Sequence, residues 1–547
     1  MTKKLLCTLM LMLCVLLLCG LPMTAQDNSF PTPVVNHASS FAVSPPLREI
    51  AKLQQAPQYG FHEANPVRRI PMKEFGQAVD TVEQSTAGPA ANYSIGLDFL
   101  GVGNGFPGYS VPDAPPDTNM AVGDTQVVQW VNVSYAVFDK ATGTALTGAI
   151  QGNQLFKSLG GNCFTYNNGD IIAQWDVQAH RWLLTQNTFN GSPYYACVAI
   201  STSPDALGSY YLYGFSLGTG FPDYPKWGVW PTGYFETINN FGRGGAAEVC
   251  AYNRSKMLVG DASAEQVCIQ LGGNDFGLLP GDVDSPTAPP ANEDEFFIGS
   301  VNGVDNSHLA LYSMHVDWSN PQGATITGKN NSQLIAVATY TNACNYPSSC
   351  VPQKGTSDKL DSLGDRLMYR FAYWEDPPLA NVTATPPKPA PSQHWFVNHS
   401  VIASGGNSAV RWYEFTAPIK NVPVTSLAVF QQGTFAPDSN WRWMGSLTRD
   451  KVGDILVGYS ESSSSMYPSI AIAGRTINDA LGTLESEVVV VNGTGSQVDT
   501  SNRWGDYSSM RIDQDGCTFW YTTEYYMLTT TFDWSTQINS AKFSNCH

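Results

Sequence analysis

The chain has 547 residues, with 29 Lys+Arg against 46 Asp+Glu for a net charge of −17, 14% charged residues, 12% aromatics, 49 Gly and 35 Pro. That charge balance excludes a nucleic-acid binder, because phosphate neutralisation needs clustered cations. The glycine, proline and aromatic content excludes a coiled coil or helical bundle and suits many short strands joined by turns.

At the start of the chain, Lys3 and Lys4 precede an apolar run over residues 5–21, and Met23-Thr24-Ala25 ends in a small residue. This pattern predicts a signal peptide over residues 1–25, cleaved after Ala25. The alternative is an uncleaved anchor, for which the run is short against the roughly 20 residues of a bilayer span. Leu18 before Cys19 is too large for a lipoprotein signal. Residues 26–91 are rich in Pro, Ala, Ser and Gln, with a short helix-capable stretch at 47–55 and a basic patch at Arg68-Arg69. They read as a flexible or disordered leader, or a pro-region, with little core of its own. The compact domain is expected over residues 92–547.

Within that domain a polar or acidic residue, followed by a large apolar one and then alternating apolar residues, recurs at Asp117, Asp170, Asp223, Asp294, Asp365, Asn440 and Asp506, at intervals of 53 to 75 residues. Seven such units predict an all-β fold, a seven-bladed β-propeller. The uneven spacing leaves a six-bladed propeller or tandem β-sandwiches as alternatives. The first unit reads as strands at 119–122, 127–133 and 135–139, with Lys140-Ala141-Thr142-Gly143 as a hairpin turn. The last unit, with strands near 507–512, 517–524 and 537–543, is one strand short, and residues 93–102 are expected to supply it and close the ring.

Eight cysteines lie beyond the signal: Cys163, Cys197, Cys250, Cys268, Cys344, Cys350, Cys517 and Cys546. An even count in an exported chain reads as disulfides. Their grouping favours sequence neighbours, and no CxxC spacing suggests zinc.

Asp513-Gln514-Asp515-Gly516-Cys517-Thr518-Phe519-Trp520 resembles the Asp-box turn of the sialidase-like propeller superfamily, of the form Ser-x-Asp-x-Gly-x-x-Trp. It departs from that form in that Asp513 lies three residues before Gly516 and Trp520 four after it. The segment at 449–454 resembles the same turn without the Trp. Segments 363–369 and 503–507 are similar to those of secreted bacterial propeller proteins. The resemblance implies a propeller whose outer turns hold blades together. Sialidases use an arginine triad with a tyrosine nucleophile and an acidic partner; Tyr507 or Tyr369 would stand in that role, though no spacing carries it over.

If each repeated aspartate begins an innermost strand, Asp117, Asp170, Asp223, Asp294, Asp365 and Asp506 converge at one mouth of the channel. Asp117, Asp223, Asp365 and Asp506 are the expected catalytic carboxylates, because crowding splits the pKa values of such groups into an acid and a base, as glycoside hydrolysis requires. The competing reading makes them strand caps. Arg366, Arg442 and Arg503 offer planar forks for an acidic sugar. Trp227, Trp441, Trp504 and Tyr507 offer faces for sugar rings, or else fill the wedge between blades. Asp282-Val283-Asp284 and Asp513-Gln514-Asp515 are oxygen-rich loops suited to Ca²⁺. Gly214-Phe215-Ser216-Leu217-Gly218 matches the hydrolase elbow in letters only, since that elbow needs a strand-turn-helix context. The expected protein is secreted (extracellular or periplasmic), monomeric, off the membrane after signal cleavage and active on an extracellular polysaccharide or glycan, with glycoside hydrolysis leading. A non-catalytic binder of glycan or protein and a polysaccharide lyase are the alternatives.

Overall fold

Short alternating segments separated by turn residues bury one face of a strand and pair along its edges, and the chain is built almost wholly from such segments. The computed structural model describes residues 32–547 except 53–61, 64–67, 69, 71–75, 243–244, 274, 292, 302–304, 329–332, 345–348, 377–391, 420–423 and 499–501. The expected signal peptide lies outside the described residues.

The described residues form an all-β, propeller-like array of antiparallel sheets, each laid down in sequence order from one first strand outward. The first sheet runs Asn119–Val122, Gln126–Val131, Ser134–Asp139, Ile150–Gln151, and the second Ile172–Asp176, Arg181–Asn187, Tyr194–Ser201, Tyr210–Gly218. The next begins with Phe221–Trp230 and ends with Glu265–Gln270. Two further sheets, begun by Leu279–Val283 and Met368–Glu375, are joined because these two first strands pair in parallel. The remaining two begin with Trp441–Arg449 and Ser509–Ile512. Each first strand touches the first strand of the following sheet, and Ser509–Ile512 returns to touch Asn119–Val122, so the contacts close on themselves. Tyr93–Leu100 pairs antiparallel with Ser535–Phe543 and supplies the outermost strand of the last sheet, as its sequence position suggests.

Between neighbouring sheets the filling is aromatic. Trp130, Trp182, Trp230, Trp395, Trp412 and Trp534 are buried to within 1%, which accounts for the tryptophan-rich composition. The predicted hairpin at 140–143 is present: Asp139 Oδ1 accepts from the Thr142 amide at 2.9 Å, and Gly143 takes the left-handed turn conformation at φ 71°. The elbow-like Gly214–Gly218 letters lie within the strand Tyr210–Gly218.

The leader departs from expectation. Val34–His37 adds a strand to the outer edge of the sheet ending in Glu265–Gln270, and Ser40–Val43 adds one to Tyr210–Gly218. Leu47, at the start of the helix Leu47–Lys52, is fully buried, and Glu83–Gln84 pairs in parallel with Ala428–Phe435. The composition of residues 26–91 offers no core of its own. The unpaired N–H and C=O groups of exposed sheet edges nevertheless provide ready partners, and Phe41 packs against Tyr213 with ring centroids 5.1 Å apart. These parts of the leader are therefore a belt rather than a flexible tail.

Four disulfides link Cys163–Cys197, Cys250–Cys268, Cys344–Cys350 and Cys517–Cys546, the neighbour pairing that the spacing favours. Cys517–Cys546 spans 29 residues and ties the chain end, just beyond Ser535–Phe543, to the turn before Thr518–Tyr525. Converting both residues to serine is expected to cost about 3 kcal/mol through the freed loop, read as a fall in the denaturation midpoint. No change in midpoint would show that the terminal strand needs no fastening.

Candidate functional site at the starts of the inner strands

Where the chain turns into a first strand it repeatedly uses a left-handed residue. Asp117, Asp170, Tyr224 and Asp506 have φ of 47°, 48°, 55° and 55°, a conformation that aspartate tolerates better than most side chains. These positions converge. The Tyr224 amide donates to Asp170 Oδ2 at 3.2 Å, the Tyr224 hydroxyl donates to the Asp506 carbonyl at 3.3 Å, and the Tyr507 hydroxyl donates to the Ile171 carbonyl at 2.9 Å. Asp117, Asp170, Asp223 and Asp506 are 2%, 8%, 4% and 4% exposed. Burial raises the proton affinity of Asp117, reinforced by Asp506 and Asp170; burial likewise pushes Asp170 up. Burial, then the neighbouring Asp170, pushes Asp223 up to about 8, so that it keeps its proton at neutral pH.

Lys226 lies among them, fully buried. Its Nζ donates to the Pro225 carbonyl at 2.9 Å and sits 3.4 Å and 4.1 Å from the ring centroids of Tyr224 and Tyr507. Burial pushes it down to about 8 despite the attraction of Asp170, Asp117 and Asp506. The sequence reading missed Lys226; its signal was a lone lysine inside the strand Phe221–Trp230, whose other charged residue is Asp223.

Asp365 also reaches this region, since it and Asp506 both act electrostatically on Tyr224, but it is closed by Arg366, whose Nε and Nη2 donate to its two oxygens at 2.8 and 3.0 Å. From the leader, the Ile70 amide donates to Asp365 Oδ2 at 3.4 Å, and the exposed Arg68 places its guanidinium 3.9 Å from the Phe221 ring centroid. Arg503 is ion-paired with Asp506. Asp294 does not join the group: it precedes Glu295–Ser300, a second strand, and bonds His315 Nδ1 at 2.8 Å. The first strand of that sheet is Leu279–Val283, so the sequence repeat was misaligned there by one strand.

Deeper along the first strands lies an ionic network. Arg511 Nη1 and Arg370 Nε both donate to Asp282 Oδ2, at 2.6 and 2.7 Å, and Arg370 Nη1 donates to Asp284 Oδ2 at 2.7 Å. Arg511 also donates to the carbonyls of Met120 and Ala173 at 2.8 and 3.0 Å. Asp282 Oδ1 accepts from the Val229 amide at 3.2 Å, and Thr448 Oγ1 donates to Asp284 Oδ2 at 2.5 Å. Every first strand contributes an atom to this network.

These contacts revise several sequence expectations. Asp282 and Asp284 are engaged by the guanidinium groups of Arg370 and Arg511, in place of the expected Ca²⁺. Asp513 Oδ1 accepts from Lys140 Nζ at 2.8 Å and its Oδ2 from Trp520 Nε1 at 3.0 Å, while Asp515 Oδ1 accepts from the amides of Cys517 and Thr518 at 2.7 and 2.8 Å. The Asp-box-like segment is thus a braced hairpin turn, with its carboxylates already engaged. Among the described residues no three carboxylates of the strand-start group bring oxygens within 4.8 Å of one another; the acidic triad that does, Asp438, Glu461 and Glu487, encloses Arg442. Arg442 is therefore a fastening within its own sheet, not a grip on substrate. Trp227 stacks on Tyr252 at 4.7 Å, and Trp504 is buried against Trp443 and Tyr526 with its Nε1 donating to Ser460. Trp441 is half-buried and packs against the same cluster. Tyr507 is fully buried. These aromatics fill the wedge between sheets, because large apolar side chains at strand starts have more area to bury there than to offer a ligand.

No family model and no curated protein matches the chain. Among solved structures it is similar to Drosophila Plexin A in complex with Semaphorin 1b, at TM-score 0.28 and 7% identity over 85% of this chain and 89% of that one. It is similar to a protein of unknown function from Dyadobacter fermentans, at TM-score 0.27 and 9% identity over 83% and 99%. It is similar also to an endo-arabinase from Bacteroides thetaiotaomicron, at TM-score 0.21 and 13% identity over 57% and 95%.

Proposed function

We propose that this chain is a secreted, monomeric seven-bladed β-propeller that acts on an extracellular glycan at the starts of its inner strands. The observation that carries this reading is a set of buried carboxylate oxygens with no hydrogen-bond partner, Asp117 Oδ1, Asp223 Oδ2 and Asp506 Oδ1, gathered beside Lys226. Unpartnered buried acceptors are costly unless a ligand satisfies them, and sugar hydroxyls are donors of the right kind. Four disulfides support export, and among the described residues no helix is long and apolar enough to cross a membrane.

In the leading mechanism Asp223, protonated at neutral pH, gives its proton to the glycosidic oxygen, and Asp506, ion-paired with Arg503, serves as the carboxylate that stabilises or attacks the anomeric carbon. Asp223→Asn keeps the shape and removes the acid. Oligosaccharide release from a polysaccharide panel, followed by mass spectrometry on the full secreted chain, is expected to fall about 100-fold or more in this variant. Equal release by the two proteins would sink the mechanism. The deep burial of the same carboxylates favours a second reading, a propeller that binds glycan without cleaving it, which predicts saturable binding and no new chain ends.

A further inference from the structure

We infer that the groove of about 550 Å³ between the first and last sheets is a second binding site, one that holds a stretch of polysaccharide at the far end of the inner strands. Asp124 and Thr125 line it from the turn that follows Asn119–Val122, and Asp513 from the turn that follows Ser509–Ile512. The strand-start carboxylates Asp117 and Asp506 precede the same two strands. The two sites therefore lie at opposite ends of those strands and share no residue, so a polymer can be held in the groove whether or not the other site cleaves it. The groove's volume falls within the roughly 300–1,000 Å³ of small-ligand sites.

The wall contributed by the last sheet is one of its faces. Thr518 and Trp520, Ser540 and Lys542, and Ser94 and Gly96 line it, alternate residues of three paired strands, and alternate residues share a face. A face offers side chains, not the open backbone edge with which a bound peptide strand would pair. The outermost strand is reshaped here. Gly96 and Leu97 together oppose Ser540, where the register shifts between Asn539 and Ala541, and the Leu97 amide donates to Ser540 Oγ at 2.8 Å. A Cβ at residue 96 would lie 2.8 Å from that same oxygen, so the glycine leaves this part of the wall without a side chain. Bulges of this kind gather beside active sites, where they re-aim side chains.

The groove carries both kinds of hydrogen-bonding group with capacity to spare. Lys542 Nζ stands 3.7 Å from Asp515 Oδ2, beyond hydrogen-bond reach. Among the described residues Asp139 accepts on Oδ1 alone, from the Thr142 amide and hydroxyl, and its Oδ2 is left as an acceptor. Ser94 and Thr125 add exposed hydroxyls, and Leu97 and Ala141 add aliphatic surface. A sugar uses all of these at once, because its hydroxyls both donate and accept while its C–H face is apolar and gains from leaving water.

The test is affinity electrophoresis of the full chain in gels containing arabinan, galactan, xylan or β-glucan, with Ser94→Trp, Lys542→Met and Asp117→Asn run alongside. Tryptophan suits a strand and fills the groove from the exposed position 94. Lys542→Met removes the ammonium and keeps the stem, and Asp117→Asn reports on the strand-start site. The expected result is retardation by at least one polymer, weakened about tenfold or more by Ser94→Trp and less steeply by Lys542→Met, at unchanged melting temperatures. Retardation that Ser94→Trp retains in full overturns the groove site; if the tryptophan lowers the melting temperature, full retention by Lys542→Met overturns it instead. Loss in Asp117→Asn alone leaves the strand-start reading standing without the groove, and loss in the groove variants alone leaves the groove standing without the strand-start site. Retardation by no polymer overturns both.

Discussion

Replacing Asp282 with alanine is expected to destabilise the protein by about 3–5 kcal/mol, the usual cost of removing one partner from a buried ion pair. Asp282 is 1% exposed and shares one oxygen between Arg370 and Arg511 while its other accepts from the Val229 amide. Its loss leaves Arg511 in a low-dielectric channel without a carboxylate and weakens Arg370, which retains Asp284. The network reaches a backbone or side-chain atom of every first strand, so the damage is expected to be cooperative and visible as a single shifted transition in urea. Simultaneous replacement of Asp282, Arg370 and Arg511 by apolar residues of similar volume is expected to cost less than the single change, because no orphan charge remains. A loss below about 1 kcal/mol for Asp282→Ala would show that the ions are screened and that the first strands are held by packing alone.

Stability is expected to fall as pH rises from about 5 to 8, the reverse of ordinary acid denaturation. Burial pushes Asp223 up to about 8 and Asp113 and Glu236 up to about 7. Asp450 and Glu461 also reach about 7 through burial, with Asp454 and Glu487 beside them adding to it. A carboxyl whose folded pKa exceeds its unfolded one holds its proton longer in the folded state. Its contribution is therefore complete below the ordinary carboxylate range and is lost as pH climbs through the folded value, at up to about 1.4 kcal/mol per group per pH unit. Lys226, pushed down to about 8 by burial, acts in another window: the unfolded chain binds more protons between about 8 and 10.5, so this group returns stability only there. At the acid end, burial is the largest single influence on Asp376 and Glu414, but the hydrogen bond and charge of His394 together with the charge of Arg449 outweigh it and hold both low, so their contribution is lost below about pH 4. A melting temperature lower by roughly 5–10 °C at pH 8 than at pH 5 is the expected result. A higher one at pH 8 would mean that the buried carboxyls ionise freely in the folded chain.

The strand pattern was legible because a half-buried strand must alternate, and the closing strand Tyr93–Leu100 could be placed because the last unit lacked one. Disulfide pairing followed from spacing. Asp117, Asp170 and Asp506 were legible because Asp tolerates the left-handed turn into an inner strand, and Asp223 because it precedes the left-handed Tyr224; Asp294 misled because a polar residue followed by aromatics also opens a second strand. The partners of charged residues were not legible. Whether Asp282 faces a metal ion or the distant Arg370 and Arg511 depends on which strands meet, and no local pattern carries that; nor does adjacency alone tell whether Arg366 turns to a ligand or to Asp365 beside it. Lys226 escaped notice for the same reason, since the carboxylates around it, Asp117, Asp170 and Asp506, lie more than 50 residues away in the chain. The leader's composition truthfully reports the lack of a core and says nothing of the sheet edges waiting for it.

The most direct test of the account is the position of a bound oligosaccharide in crystals of the protein soaked with a polysaccharide fragment that it retains. Sugar hydroxyls are expected within hydrogen-bond distance of the Asp117, Asp223 and Asp506 carboxylates. Sugar lying instead in the groove of about 550 Å³ between the first and last sheets, lined by Lys140, Asp513, Trp520 and Lys542, with the strand-start carboxylates still without partners, would contradict it.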